Sequence, residues 1–333
     1  MTDPVLTKNR NRKILLKVTN ATFLIIVFVF LGFFLFKNSR TVGSILYNAD
    51  PYLLGLSLLF HSLFVLFQGT LGVAVLRATG GDIPYVKALP ILCLSLMGRY
   101  IPGKIWVVSS RISLFSMKGI KTAQIVTATI KEHIFTIFSG LLIAMVFLPA
   151  GIIGNQQAYL WGTLILAGFL LLPPSFVYTL INRGLSIFGK QPLESWATRR
   201  TVLAFLCLYC INWFVLGSGL ILLAKSLYPA IPLTLILPWT GLYSLAVSAG
   251  FIAIFSPGGI GVREGIFFLG FSSQLPAVEA GALALMTRLI VTLAEVIVLL
   301  AVLSYDRVSR VLPESVPSQE ETESGEYQRV GHD

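Results

Sequence analysis

Nine ionisable residues stand inside otherwise apolar stretches of the chain. Six are cationic (Arg99, Lys104, Arg111, Lys131, Arg263, Arg288) and three anionic (Glu132, Glu264, Glu295). Holding one such group in the hydrocarbon core of a bilayer costs at least about 2.5–3.5 kcal/mol on insertion scales. Charges retained at that cost mark a site, and a cationic surplus suits an anionic ligand. Guanidinium forks match the oxygens of a phosphate group. The simplest such ligand for a cavity inside a membrane is a phosphate-bearing lipid headgroup. The glutamates would orient the cations, or gate and couple protons.

Two irregular turns carry or flank these charges. The first is Ile101-Pro102-Gly103-Lys104-Ile105. The second, Ser256-Pro257-Gly258-Gly259-Ile260-Gly261, runs directly into Val262-Arg263-Glu264. Proline removes a backbone donor and glycine weakens a helix, so neither stretch continues as unbroken helix. Irregular backbone at membrane depth survives only where protein or a water-filled cavity covers it. Helices restarting after the turns would aim free N–H groups at an anion. Pro102 and Gly103, and Pro257, Gly258, Gly259 and Gly261, are therefore candidate binding positions beside the charged groups; the three later glycines let backbone approach a ligand closely.

The elements that must position these residues are membrane helices. The chain has 333 residues, 55% hydrophobic and only 12% charged, against about 25% charged for a soluble domain. Its apolar runs far exceed the roughly ten residues of a barrel strand, so the spans are helical. The net charge of +10 hides a division. A basic tail, residues 1–13, precedes a membrane region, residues 14–304, and an acidic tail, residues 305–333, is expected to be disordered. Ile14–Phe36 is too long for a signal-peptide core and reads as an uncleaved first span.

Hydropathy then places spans at Tyr52–Leu76, Thr122–Leu148, Ala158–Ile181, Thr201–Ala224 and Val278–Ser304, with interrupted segments at Pro84–Phe115 and Pro232–Phe271. The positive-inside rule puts the basic tail, Lys118, Lys121 and the loop from Arg183 to Arg200 in the cytoplasm. These agree if each interrupted segment enters and leaves on one side. The same pattern then occurs twice: residues 14–148 and 158–304 each hold three spanning helices and one re-entrant hairpin broken at Pro-Gly, in opposite orientations. Ile83-Pro84-x4-Leu89-Pro90 opens the first hairpin and Ile231-Pro232-x4-Leu237-Pro238 the second. The fold class expected is an all-α polytopic membrane protein made of two inverted-topology repeats, with both termini cytoplasmic. Inverted repeats with broken helices near the midplane are a common way to build a transport site. Two full spans kinked at Pro-Gly are the plainer alternative.

Plainer readings also attach to single residues. Arg99 and Lys104 could snorkel to the cytoplasmic rim. Adjacent residues on a helix diverge by about 100°, so Lys131 and Glu132 should find separate partners. Arg288 and Glu295, seven apart, should pair with other elements, the Arg263-Glu264 turn among them. His61 and His133 read as core histidines, Gln68 and Asn212 as interhelical hydrogen-bond glue. Cys93, Cys207 and Cys210 read as packing residues. The sequence has no Gly-x-Ser-x-Gly, no His-Glu-x-x-His, no P-loop and no metal-ligand cluster, so it is not expected to be an enzyme or to bind a cofactor or metal.

Pro257-Gly-Gly-Ile-Gly-Val-Arg-Glu264, followed by a span with Arg288, resembles the second signature of the flippase-like membrane domain of lysylphosphatidylglycerol synthases. Pro102-Gly-Lys104 with Arg111 and Lys131-Glu132 is similar to the first. The resemblance covers nearly the whole chain. It departs at Ile105-Trp106 and Lys131-Glu132-His133, where many members carry Gly-Glu and an Arg/Asp pattern. The resemblance implies a stand-alone member, without the aminoacylating synthase domain, that moves or binds an aminoacyl-phospholipid, a polyprenyl-phosphate-linked lipid or a glycolipid. The partners expected are a membrane lipid with an anionic headgroup, a lipid-modifying enzyme or glycosyltransferase, and a second copy of the chain; nucleic acid is not among them. A non-transporting partner that presents lipid to a separate enzyme is the alternative function. The membrane expected is the cell (inner or plasma) membrane.

Overall fold

The computed structural model of the chain describes residues 36, 39–100, 105–153, 179, 183, 198–253 and 256–305. Among them are nine α-helices and no strand: α1 Ser39–Tyr47, α2 Pro51–Ala78, α3 Tyr85–Leu96, α4 Ile105–Ser116, α5 Thr122–Ile153, α6 Arg199–Leu227, α7 Ile236–Ile252, α8 Val262–Phe271 and α9 Ala277–Tyr305. Five helical stretches are long and apolar enough to cross a membrane: Pro51–Ala78, Thr122–Leu148, Arg200–Leu227, Leu233–Ile252 and Ala277–Ser304. Apart from Phe36, the expected span Ile14–Phe36 lies outside the described residues. So do most of Ala158–Ile181 and nearly all of the acidic tail.

Helix ends follow local chemistry. Asp50 precedes Pro51, and its carboxylate accepts the N–H groups of Tyr52 and Leu53 at 2.8 and 3.1 Å. Proline at the first helical position loses only a donor that had no partner there. Pro84 sits just ahead of α3 and Pro232 just ahead of the short 3-10 turn Leu233–Leu235, both in extended backbone. The two Ile-Pro openings in the sequence thus start different elements: an α-helix after Pro84, and after Pro232 a 3-10 turn that leads into α7.

Hydrogen bonds between helices set their directions. Asp50 N–H reaches Ser226 O, Ser57 Oγ reaches Gly219 O, and Asn212 Nδ2 reaches Gln68 Oε1. Residue numbers rise along α2 as they fall along α6, so these two helices are antiparallel. By contrast, Phe135 stacks on Tyr209 and Trp213 Nε1 donates to Ser139 Oγ at 2.9 Å. That register makes α5 and α6 parallel.

Each interrupted segment folds back on itself. Trp239 meets Phe271 and Tyr243 meets Phe267 at ring-centroid distances of 4.9 and 5.0 Å, so α8 returns along α7. In the first segment Arg111 Nε donates to Ser95 Oγ at 3.0 Å, and Gly98 abuts the backbone of Trp106 and Val107. The end of the long helix before each segment meets the start of the long helix after it. Gln124 Nε2, at the start of α5, bonds Gly80 O, just past α2. Tyr228 Oη, just past α6, donates to Glu279 O at the start of α9 at 3.2 Å. With 12 residues, α3 is about 18 Å long and too short to cross the roughly 30 Å hydrocarbon core alone. The stretch Leu233–Ile252, at 20 residues, is not. The two broken segments thus differ in the length of their first arm.

The element order long helix, folded-back pair, long helix occurs twice, as α2 to α5 and as α6 to α9. Contacts correspond as well. α3 touches α9 as α7 touches α5, α2 touches α9 as α6 touches α5, and the turns Met97–Tyr100 and Pro257–Gly259 touch each other. Two features differ from the sequence reading. Cys207 is exposed on α6, against the packing role expected, because it faces outward together with Leu208. Helix α1 was not anticipated; at nine residues it is too short for a hydropathy window built for spans, although Ile45 packs on the core.

Candidate functional site

The buried charges collect where the two folded-back pairs meet. In the first half, Arg111 on α4 forms a two-pronged ion pair with Glu132 on α5. Nη1 lies 2.5 Å from Oε2 and Nη2 3.3 Å from Oε1. Ser95 takes the Nε proton, and Thr129 Oγ1 lies 3.4 Å from Nη1. Arg111 is 2% exposed and Glu132 6%. Such a pair is tolerated in a low-dielectric interior only with this degree of hydrogen bonding. Glycine at position 72 of α2 makes the space, since a Cβ there would stand 3.1 Å from Glu132 Oε2.

In the second half the backbone itself is unusual. Gly258, Gly259 and Gly261 have φ of 62°, 74° and 84°. Side chains rarely tolerate that left-handed region, so glycine at these positions is what lets the chain stop α7 and restart α8 within a few residues. The Glu264 carboxylate reaches back to accept the Gly261 N–H at 2.6 Å, satisfying one of the free donors at the start of α8. Arg288 on α9 approaches both parts of this turn. Its Nε is 4.0 Å from Glu264 Oε1 and its Nη1 3.4 Å from Gly258 O. Arg263 points the other way. Its guanidinium lies over the Phe251 ring, 5.5 Å from the centroid, where the π-face attracts a cation. A Cβ at Gly250 would fall 2.6 Å from Arg263 Nε, so α7 is glycine where this side chain passes. Phe251 also meets His133 edge-on at 5.3 Å. A short aromatic link therefore joins Arg263 to α5.

Between the halves lies a cavity of about 90 Å³. Its polar lining comes from Gln68, Glu132, His133, Thr136, Tyr243, Arg263 and Glu295, and Leu96, Val247 and Phe251 are among its apolar walls. That is room for a few waters. Gln68 and Glu132 contribute from the first half and Arg263 and Glu295 from the second, so the cavity brings together residues distant in sequence. Lys131, on the same helix as Glu132, is buried too. Of the nine ionisable residues singled out in the sequence, seven have described side chains, all buried or half-buried: four cations (Arg111, Lys131, Arg263, Arg288) and three anions (Glu132, Glu264, Glu295). The first turn, Pro102, Gly103 and Lys104, lies outside the described residues, as do the side chains of Arg99 and Pro257.

Several residues of this site were not singled out from sequence. Ser95 and Thr129 hold Arg111, Phe251 carries Arg263, and Gly72 and Gly250 clear the space. A serine, threonine or glycine in an apolar helix has a dozen structural uses, and only the partner across the gap selects one. Gln68 and Asn212 do act as the interhelical link expected of them: Asn212 donates to Gln68, whose amide donates to Thr136 on α5 at 3.1 Å, tying three helices together.

With five stretches among the described residues long and apolar enough to cross a membrane, no strand among those residues, and an ion pair buried among the helices, the chain is a multi-pass membrane protein. Its sequence matches the family described as the lysylphosphatidylglycerol synthase TM region over residues 18–299. The chain belongs to that family. No match was found among curated proteins.

Proposed function

We propose that the chain is a lipid transporter whose two inverted repeats enclose a phosphate-binding site between their Pro-Gly turns. The observation that carries the reading is the cavity between the two folded-back pairs, lined by Glu132 and His133 from one half and Arg263 and Glu295 from the other. Antiparallel α2 and α6 support opposite orientations of the halves. The meeting of the long helices before and after each broken segment supports two re-entrant hairpins. Membership of a family named for a phospholipid synthase supports a lipid as ligand.

Chemically, Glu264 holds the place a phosphate oxygen would take. Its carboxylate sits at the N-terminal end of α8, against a backbone N–H and within 4.0 Å of Arg288. An anionic headgroup competing for those donors has the same partners available, with Arg263 one residue away. Arg111 is committed to Glu132 and serves to hold α4 on α5. Lys131, and Lys104 on the first turn, would complete the cationic lining, with Glu295 gating. At about 90 Å³ the cavity must widen before a headgroup enters, so transport requires the two halves to move against each other. The termini would be cytoplasmic and the membrane the cell membrane. A lipid-modifying enzyme or glycosyltransferase would make or use the lipid.

The test is translocation by the purified chain in vesicles containing fluorescently tagged phosphatidylglycerol or tagged polyprenyl phosphate, read by quenching from outside. The doubly substituted Arg263→Ala, Arg288→Ala chain should lose translocation while keeping its helicity and thermal unfolding. Unchanged movement in that folded variant would remove the site. Binding of lipid without any translocation by the native chain would favour a presenting partner over a transporter.

A further inference from the structure

Beside the central cavity, a second hollow opens on the outer face of the bundle. It lies between α2, α3 and α9, measures about 240 Å³, and is walled by Leu66, Tyr85, Val86, Leu89, Val298 and Ala301, with Val302 at its edge. Its one side-chain polar group is already engaged, since the Tyr85 hydroxyl is 2.6 Å from Thr70 Oγ1. A headgroup would find nothing there to bind. Leu66, Tyr85 and Val86 are 37%, 36% and 45% exposed, so the hollow faces outward. The helices walling it include two of the membrane-crossing stretches, and an apolar gap against lipid forfeits dispersion contacts unless hydrocarbon fills it.

The hollow and the cavity are walled in part by the same helices, α2, α3 and α9. Val298 is three residues past Glu295, less than one turn along α9. Leu66 stands next to Val65, and Leu89 lies two turns before Leu96; Val65 and Leu96 both line the cavity. In the other half, α5 and α7 pack closely at the Leu148 end. A Cβ on Gly241 would meet the Leu148 backbone nitrogen at 2.9 Å, and the space left beside Leu148 and Trp239 is about 20 Å³.

We propose that the groove between α2, α3 and α9 seats one hydrocarbon chain of the lipid whose headgroup enters the central cavity. The proposal rests on the lipid-handling reading above. It makes the α3–α9 seam the side on which the cavity exchanges lipid. An acyl chain of a glycerophospholipid and an isoprenoid chain of a polyprenyl phosphate satisfy the same apolar walls.

The full chain is reconstituted in phosphatidylcholine vesicles with increasing amounts of phosphatidylglycerol bearing a photoreactive acyl chain or, separately, polyprenyl phosphate bearing a photoreactive isoprene unit. After irradiation the labelled peptides are mapped. Labelling at Leu89 and at Val298–Val302 should saturate with one of the two lipids, which identifies the chain class. Labelling at Leu269 and Ile211, exposed apolar positions outside the groove, should rise in proportion to the probe. Ala301→Trp, which fills the groove, should abolish the saturable component and slow translocation roughly tenfold, the scale of a poorly filled apolar pocket. Groove labelling that rises in proportion with both lipids, or that still saturates in folded Ala301→Trp protein, would overturn the proposal. Arg263→Gln separates the two readings: loss of translocation with saturable groove labelling intact supports both, whereas saturable labelling with unimpaired translocation keeps the groove and removes the headgroup site.

Discussion

The two halves share an element order but treat their buried charges differently. The α4–α5 half closes its arginine on its own glutamate: Arg111 and Glu132 meet through two contacts, with Ser95 and Thr129 completing the shell. In the α8–α9 half the carboxylate belongs first to its own helix start. Glu264 bonds the Gly261 N–H at 2.6 Å, and Arg288 stands off at 4.0 Å, bonded to the Gly258 carbonyl. Arg263 lies over an aromatic ring. One arrangement is a clamp, and breaking it strands a charge in low dielectric. The other is an assembly of longer contacts around a glycine turn. The first half thus locks its charges more tightly than the second.

The comparison breaks most visibly at Glu132. Glu132→Gln leaves Arg111 buried without a counter-charge and should destabilise the protein by about 3–5 kcal/mol, read by thermal or denaturant unfolding in detergent. A loss near zero would mean that the first-half pair is no clamp. Gly250→Ala comes next. Its methyl group would collide with Arg263, at a cost of about 1–3 kcal/mol for overpacking, and should displace the guanidinium from Phe251 and lower translocation; wild-type transport would separate Arg263 from the ligand. Glu264→Gln retains a hydrogen-bond acceptor for Gly261, so it should cost only about 1 kcal/mol while changing lipid affinity. A cost equal to that of Glu132→Gln would erase the difference between the halves. The smallest effect is expected for Asn212→Leu, about 0.6 kcal/mol, the average for hydrogen bonds between membrane helices, measured in the same unfolding assay.

Much of this architecture is legible along the chain because hydropathy and backbone chemistry are local. The expected span Thr122–Leu148 recurs as a membrane-crossing stretch with the same bounds, and Tyr52–Leu76 and Val278–Ser304 fall within one or two residues of α2 and α9. Pro257 and the glycines after it break the helix where expected, because no side-chain context rescues a helix through Pro-Gly-Gly. The separate partners expected for Lys131 and Glu132 hold for Glu132, which turns to Arg111 on the neighbouring helix. What sequence could not supply is which distant group fills each gap. A carboxylate in an apolar helix needs a counter-charge, yet nothing local distinguishes Arg111 from Arg263 as its partner.

Composition and periodicity alone determine that the chain is a bundle of membrane helices with two Pro-Gly breaks, since burial in lipid and helix propensity act residue by residue. Only the tertiary structure decides that Arg111 is spent on Glu132, that Arg288 reaches the glycine turn, and that a groove opens between α2, α3 and α9. Those outcomes depend on approach distances of a few ångströms between helices, set by where a glycine omits its side chain and which way each helix runs.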